Sequence, residues 1–277
     1  MINLLRDAVI NWLKWEKPLP HTPLSDFEHL KGELVPCDVI LVEGRSRVSE
    51  VIKLITQSSW SHAALYIGRL ADIEDPLLRK SLSLHYHDSP DKQLLIESEL
   101  GLGTVVRPLT AYECEHLRIC RPRNLGAEDS VRVTAYCIGK LGSAYDVRQI
   151  FDLARFLFPW FIMPRRWRSS LFSANPGKST QTVCSTMIAE AFGAIQFPIL
   201  PLVKKMEGDG LKLYWRNPKL CTPRDFDYSP YFDIIKYPYV DFSHYAKQHL
   251  KPWDGPVELT AEERELYIVP ESDTESG

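Results

Sequence analysis

Apolar residues recur with a helical period late in the chain, where Val183, Met187, Ile188, Ala191, Phe192 and Ile195 share one face. Ser179, Thr180 and Thr182 stand just ahead of them as N-cap residues, so the pattern predicts a helix with Cys184 in its first turn. Strand-like alternation marks His62 to Gly68, with His62, Ala64 and Tyr66 pointing one way and Ala63, Leu65 and Ile67 the other. A second such run is Gln93 to Leu100. It is followed by the turn Gly101-Leu102-Gly103 and a third run, Thr104 to Leu109. Pro36 to Leu41 reads as a strand as well. Helices are expected over residues 2–15, 46–56 and 128–141, the first ended by Lys17-Pro18-Leu19-Pro20. In that first helix Ile2, Leu5, Val9, Trp12 and Leu13 lie near one face, suited to docking on the domain or lying on a membrane. Residues 71–92 read as a polar loop carrying His85 and His87. After Pro198 little period survives, and the acidic tail from Glu262 to Gly277 is expected to fray.

Two of these elements carry reactive groups. In the first turn of a helix, unpaired N–H groups and the helix dipole favour an anion, which lowers the pKa of a thiol such as Cys184 and yields its nucleophilic thiolate. Taken alone, a cysteine in an apolar helix is more often an inert core residue. His62 gives the pair a general base if its strand packs against that helix. Glu97 sits within an apolar stretch and needs a partner, which the ring N–H of His62 would supply while fixing the imidazole tautomer. Glu99 shares the strand face of Glu97 and competes for the role; both could instead be solvated edge-strand residues.

Composition narrows the class. With 277 residues, 44% of them hydrophobic, the chain can bury one sizeable core, and a net charge of -3 gives no reason to expect nucleic-acid binding. The six cysteines include no C-x-x-C pair, which argues against a structural zinc site and a thioredoxin motif. His85 and His87 lack an evident third ligand, so no metal and no cofactor are expected. No secretory signal and no bilayer-spanning apolar run are visible, and a cytoplasmic location is expected. One segment qualifies that expectation. Residues 151–168 join dense aromatics, Phe158, Trp160 and Phe161 among them, to a basic end with Arg165, Arg166 and Arg168. It suits either a helical insertion buried over the domain or a face that meets lipid or an acyl chain while its arginines meet anionic headgroups.

The order of the pieces resembles that of the permuted papain-like amidases of the YiiX/YaeF type, a circularly permuted branch of the NlpC-type cysteine peptidases related to lecithin retinol acyltransferase. Papain-like enzymes normally present cysteine before histidine; here the histidine comes first. Pro36-Cys37-Asp38-Val39-Ile40-Leu41 is similar to the opening strand, with cysteine where the family usually has glycine before the aspartate. His62 to Gly68 is similar to the histidine strand, and Leu95-Ile96-Glu97-Ser98 with Gly101 to Val106 to the strand pair after it. Gly142-Ser143-Ala144-Tyr145-Asp146 is similar to the Gly-x-x-Tyr-Asp element, and Val183-Cys184-Ser185 to the nucleophile.

This resemblance spans roughly residues 33–200. It implies an α+β, circularly permuted papain-like (NlpC-type) fold, with an antiparallel sheet or barrel packed against the nucleophile helix. An N-terminal amphipathic helix and linker would occupy 1–32, the catalytic domain 33–200 with the aromatic-basic insertion at 151–176, and a Pro/Tyr-rich extension 201–277. It further implies Cys184 as nucleophile, His62 as base, Glu97 as orienting residue, Tyr145 as a second oxyanion donor and Asp38 as a brace. The expected activity is hydrolysis of an amide bond in a small acylated or peptide substrate through a Cys-linked acyl-enzyme. Alternatives are an acyltransferase or lipid-ester hydrolase at an anionic membrane surface, or a binding scaffold without catalysis.

Overall fold

The structure is a computed structural model that describes residues 10–18, 24–143, 183–205 and 211–238. In chain order it runs α1 (Phe27–Glu33), β1 (Val39–Glu43), α2 (Arg47–Thr56), β2 (His62–Arg69), α3 (Pro76–Ser83), β3 (Gln93–Glu99), β4 (Gly103–Pro108), β5 (His116–Pro122) and α4 (Ala127–Ile138). Then follow α5 (Val183–Ala194), the hairpin β6 (Leu202–Lys205) and β7 (Leu211–Tyr214), α6 (Pro223–Asp227) and β8 (Phe232–Ile235). The protein is α+β. Six strands form one antiparallel sheet in the order β4-β3-β2-β1-β5-β8.

Alternation along each strand sorts the apolar residues onto two faces. Val39, Leu41, Ala63, Leu65, Leu94 and Ile96 bury against Met187, Ile188, Ala191 and Phe192 of α5 and against Val133 and Cys137 of α4. Ile40, Val42, Ala64, Tyr66, Leu95 and Ile119 bury against Phe27, Leu30 and Leu34 at α1. Of the helical spacing read in 183–195, Met187, Ile188, Ala191 and Phe192 face the core, with Ile195 packed against it. Phe192 is wholly buried and meets Phe232 of β8 edge-to-face at 5.5 Å, so truncating it to alanine would cost about 3–5 kcal/mol.

The structure departs from the sequence reading in three places. Residues 71–92 are not simply a loop: a 3-10 turn at Leu70–Asp72 precedes α3. Asp75 caps α3 by accepting from the backbone N–H of Leu77 at 2.7 Å, and Pro76 opens it. An N-cap aspartate followed by proline is a helix start signal that the polar composition hid. The sheet also continues past residue 200, since β8 pairs with β5 through Ile119↔Ile235 to Pro122↔Phe232. Finally, Leu13 is buried whereas Trp12 is exposed, with the Arg47 guanidinium 4.6 Å from its ring. Residues 10–18 dock on the domain: Lys14 pairs with Glu99 at 2.5 Å and the Trp15 carbonyl accepts from the Arg47 N–H.

Among the described residues, no helix is long and apolar enough to cross a membrane.

Candidate active site

Three elements converge on one thiol. Cys184 is the second residue of α5, so its side chain lies at the helix's N-terminal end. Ser185 anchors that end by donating its hydroxyl to the Cys221 carbonyl at 2.6 Å. Cys184 is a free cysteine, only 5% exposed. His62 is the first residue of β2, opposite Val42 of β1, and the residue turned toward α5 beside it is the small Ala63. The imidazole and the Cys184 thiol interact electrostatically, each shifting the other's ionisation. Its Nε2 lies 2.8 Å from Glu97 Oε2, which leaves Nδ1 for the sulfur.

The charges reinforce one another. Burial pushes the Cys184 thiol up, but the His62 imidazolium and N–H donors from the backbone of Ala63 and Ser185 outweigh it and bring the pKa below the ordinary thiol value. Burial likewise works against a charged His62. The neighbouring Cys184 and Glu97 overcome it and hold its pKa well above the usual histidine range. Both shifts favour a thiolate–imidazolium pair.

Glu97 is 1% exposed, a burial that a carboxylate tolerates only with partners on both oxygens. Oε2 accepts from His62 and also from the Tyr112 hydroxyl, and Oε1 pairs with Arg107 Nε at 2.9 Å. Burial raises its pKa, and His62, Tyr112 and Arg107 together bring the net shift below the ordinary value. Glu99 is held elsewhere, by Arg107 and Lys14. The competition between the two glutamates for His62 is thus resolved in favour of Glu97.

Arg107 and Tyr112 escaped the sequence reading, although a signal for one was present. In the β3–β4 ladder Glu97 faces Val105 and Leu95 faces Arg107, so Arg107 is the diagonal neighbour of Glu97 on the same face. A hairpin centred on Gly101 gives that register. Tyr112 arrives through the 3-10 turn Leu109–Tyr112, whose return onto β3 has no sequence signature.

Asp38 does not enter this constellation. It stands at the opposite end of β1 from the Val42↔His62 pair and is wholly buried. There it accepts both Nε and Nη2 of Arg121 at 2.9 Å and the Val35 N–H at 2.9 Å. This is a structural brace between the chain entering β1 and β5. Tyr145, Phe158, Trp160, Phe161, Arg165 and Arg166 lie outside the described residues, as do the N-cap residues Ser179, Thr180 and Thr182. Among the described residues no group of three His, Cys, Asp or Glu side chains could hold a metal ion. No protein-family model matches the chain, and no curated protein matches it.

Proposed function

We propose that the protein is a cysteine hydrolase that cleaves an amide bond, of peptide or N-acyl type, on a permuted papain-like scaffold. One observation carries the reading: a single imidazole is held between a buried thiol at a helix N-terminus and a buried carboxylate. In chain order the strands bearing the imidazole and the carboxylate precede the thiol helix, as the permuted arrangement requires.

In the proposed reaction the Cys184 thiolate attacks the carbonyl carbon, and the Cys184 backbone N–H meets the developing oxyanion. His62 gives its proton to the leaving nitrogen as the C–N bond breaks and a thioester forms. His62 then takes a proton from water, which attacks the thioester, releases the acid and restores the thiolate. Glu97 keeps the ring oriented and offsets its positive charge throughout.

Acyl transfer or lipid-ester cleavage would pass through the same thioester. The aromatic-basic sequence of residues 151–168 favours a membrane surface as the place for that second chemistry. An electrophilic thiol probe separates enzyme from binding scaffold: labelling of Cys184 that is lost in Cys184→Ser supports catalysis, and indifference of the wild type defeats it. Turnover of acylated amino acids, short peptides and phospholipids by purified protein then selects the substrate. Flotation with anionic vesicles tests the membrane reading, which falls if the protein stays behind in low salt.

A further inference from the structure

The carboxylate behind His62 is itself clamped from two sides. Tyr112 donates its hydroxyl to the same Glu97 oxygen that meets His62, and its ring stacks on the imidazole at 6.2 Å between centroids. Arg107 Nε lies 2.9 Å from Glu97 Oε1 and 3.0 Å from Glu99 Oε2, so one guanidinium separates two carboxylates on the same strand face. Lys14, from the docked N-terminal segment, holds the far side of Glu99 at 2.5 Å.

We propose that Tyr112 and Arg107 are positioning residues for the Cys184–His62 pair, acting through Glu97 to keep it ionised and aimed at His62 Nε2. The inference rests on the thiol-hydrolase reading of the site. Without Arg107, two carboxylates on one face, one of them buried, lose their shared cation, and like charges drive one to take up a proton. Without the Tyr112 hydroxyl, Glu97 loses a charge-assisted hydrogen bond, while the ring that stacks on the imidazole stays. Either loss weakens the imidazolium and returns the equilibrium toward neutral thiol and neutral imidazole. Among the described residues, the charged and titratable groups that face this assembly are Cys184 and Cys221 from the thiol side, Glu97 and Glu99 from β3, Arg107 from β4, Tyr112, and Lys14.

The test is the pH dependence of Cys184 alkylation by iodoacetamide in the full chain, which reports thiolate whatever the substrate. Tyr112→Phe and Arg107→Met should each lower the rate at mildly acidic pH by about tenfold and restore it at alkaline pH. Arg107→Lys should recover part of the loss. On a Glu97→Gln background, neither Tyr112→Phe nor Arg107→Met should lower the rate further, because the group through which they act is already gone. A merely structural role predicts a lowered melting temperature with an unmoved alkylation midpoint, and that result overturns the proposal. So does full additivity with Glu97→Gln. If wild-type Cys184 alkylates only at ordinary thiol pH, the thiol-hydrolase reading itself fails, an outcome separate from failure of the clamp.

Discussion

His62 Nε2 meets Glu97 Oε2 at 2.8 Å, and the two sit on adjacent strands with the carboxylate shut off from solvent and the imidazole 21% exposed. The buried carboxylate sets the orientation, and the half-buried imidazole faces the thiol and whatever approaches it. Glu99, two residues along the same strand, spends its oxygens on Arg107 and Lys14. Identical side chains on one face therefore serve different ends, and burial and register decide which is which.

The first prediction uses that division. Glu97→Gln should keep the fold, since an amide oxygen can still accept from Tyr112, while lowering kcat by about 10²-fold or more because it cannot offset the charge on His62. Glu99→Gln should change kcat by less than about tenfold, its pair being partly exposed. Steady-state kinetics on the two variants check this, and the reverse order would remove Glu97 from its assigned role.

The pH profile gives the second prediction. The active pair requires Cys184 deprotonated and His62 protonated, so its window opens at the lowered thiol value and closes at the raised imidazole value. Activity should therefore rise below the ordinary thiol pKa of about 8.5 and persist above the ordinary histidine pKa of about 6.5, the two limbs belonging to the coupled pair. Stability follows the same signs. The contribution of His62 is full below its unfolded pKa and fades as pH rises through its folded one. That of Glu97, whose folded pKa is lowered, is full above its unfolded value and fades as pH falls through the folded one. Cys184→Ser removes the anion, so NMR titration of the His62 ring should show its pKa falling. An unchanged value would mean that the two side chains are uncoupled in solution.

Much of this site was legible from local pattern alone. The thiol helix announced itself because its large apolar residues recur with a helical period, and the histidine strand because alternation is short-range. The strand pair after it was legible because glycines mark its turn. Glu97 stood out as a carboxylate among leucine and isoleucine. What stayed hidden is non-local. Tyr112 reaches Glu97 through a 3-10 turn, and β8 closes the sheet from more than a hundred residues beyond β5, its partner. Neither contact leaves a mark in the intervening sequence. Helix α3 was missed for a different reason: its polar face and short length masked a sound Asp75-Pro76 start.

Arg121 and Asp38 supply a third prediction, about stability rather than chemistry. Burial raises the Asp38 pKa, and the Arg121 guanidinium opposes that rise only in part. Replacing Arg121 with methionine leaves a wholly buried carboxyl without its bidentate partner, which should cost about 3–5 kcal/mol in denaturant unfolding. The alkylation midpoint of Cys184 in the folded fraction should not move, because the brace lies at the far end of β1. A shifted midpoint would draw Asp38 into the site after all.

Cys37 offers the last prediction, because its backbone and its side chain make opposite demands. Its φ of 74° lies in the left-handed region, which costs a residue with a Cβ about 1–2 kcal/mol and glycine almost nothing. In the permuted papain-like amidases that the sequence resembles, glycine usually stands at this point, just before the aspartate. Here the backbone holds the conformation through the Cys37 N–H, which donates to the Tyr66 carbonyl at 2.8 Å. The buried thiol meanwhile packs into the core and lies 3.2 Å from the Ser130 hydroxyl. Cys37→Ala loses the sulfur and keeps the strain, whereas Cys37→Gly loses slightly more packing and releases the strain. The glycine variant should therefore be at least as stable as the alanine variant, the reverse of their order at an ordinary buried position. Unfolding midpoints of the two variants measured side by side decide it. An alanine variant more stable by 1 kcal/mol or so would mean that the chain does not hold a left-handed residue at this turn.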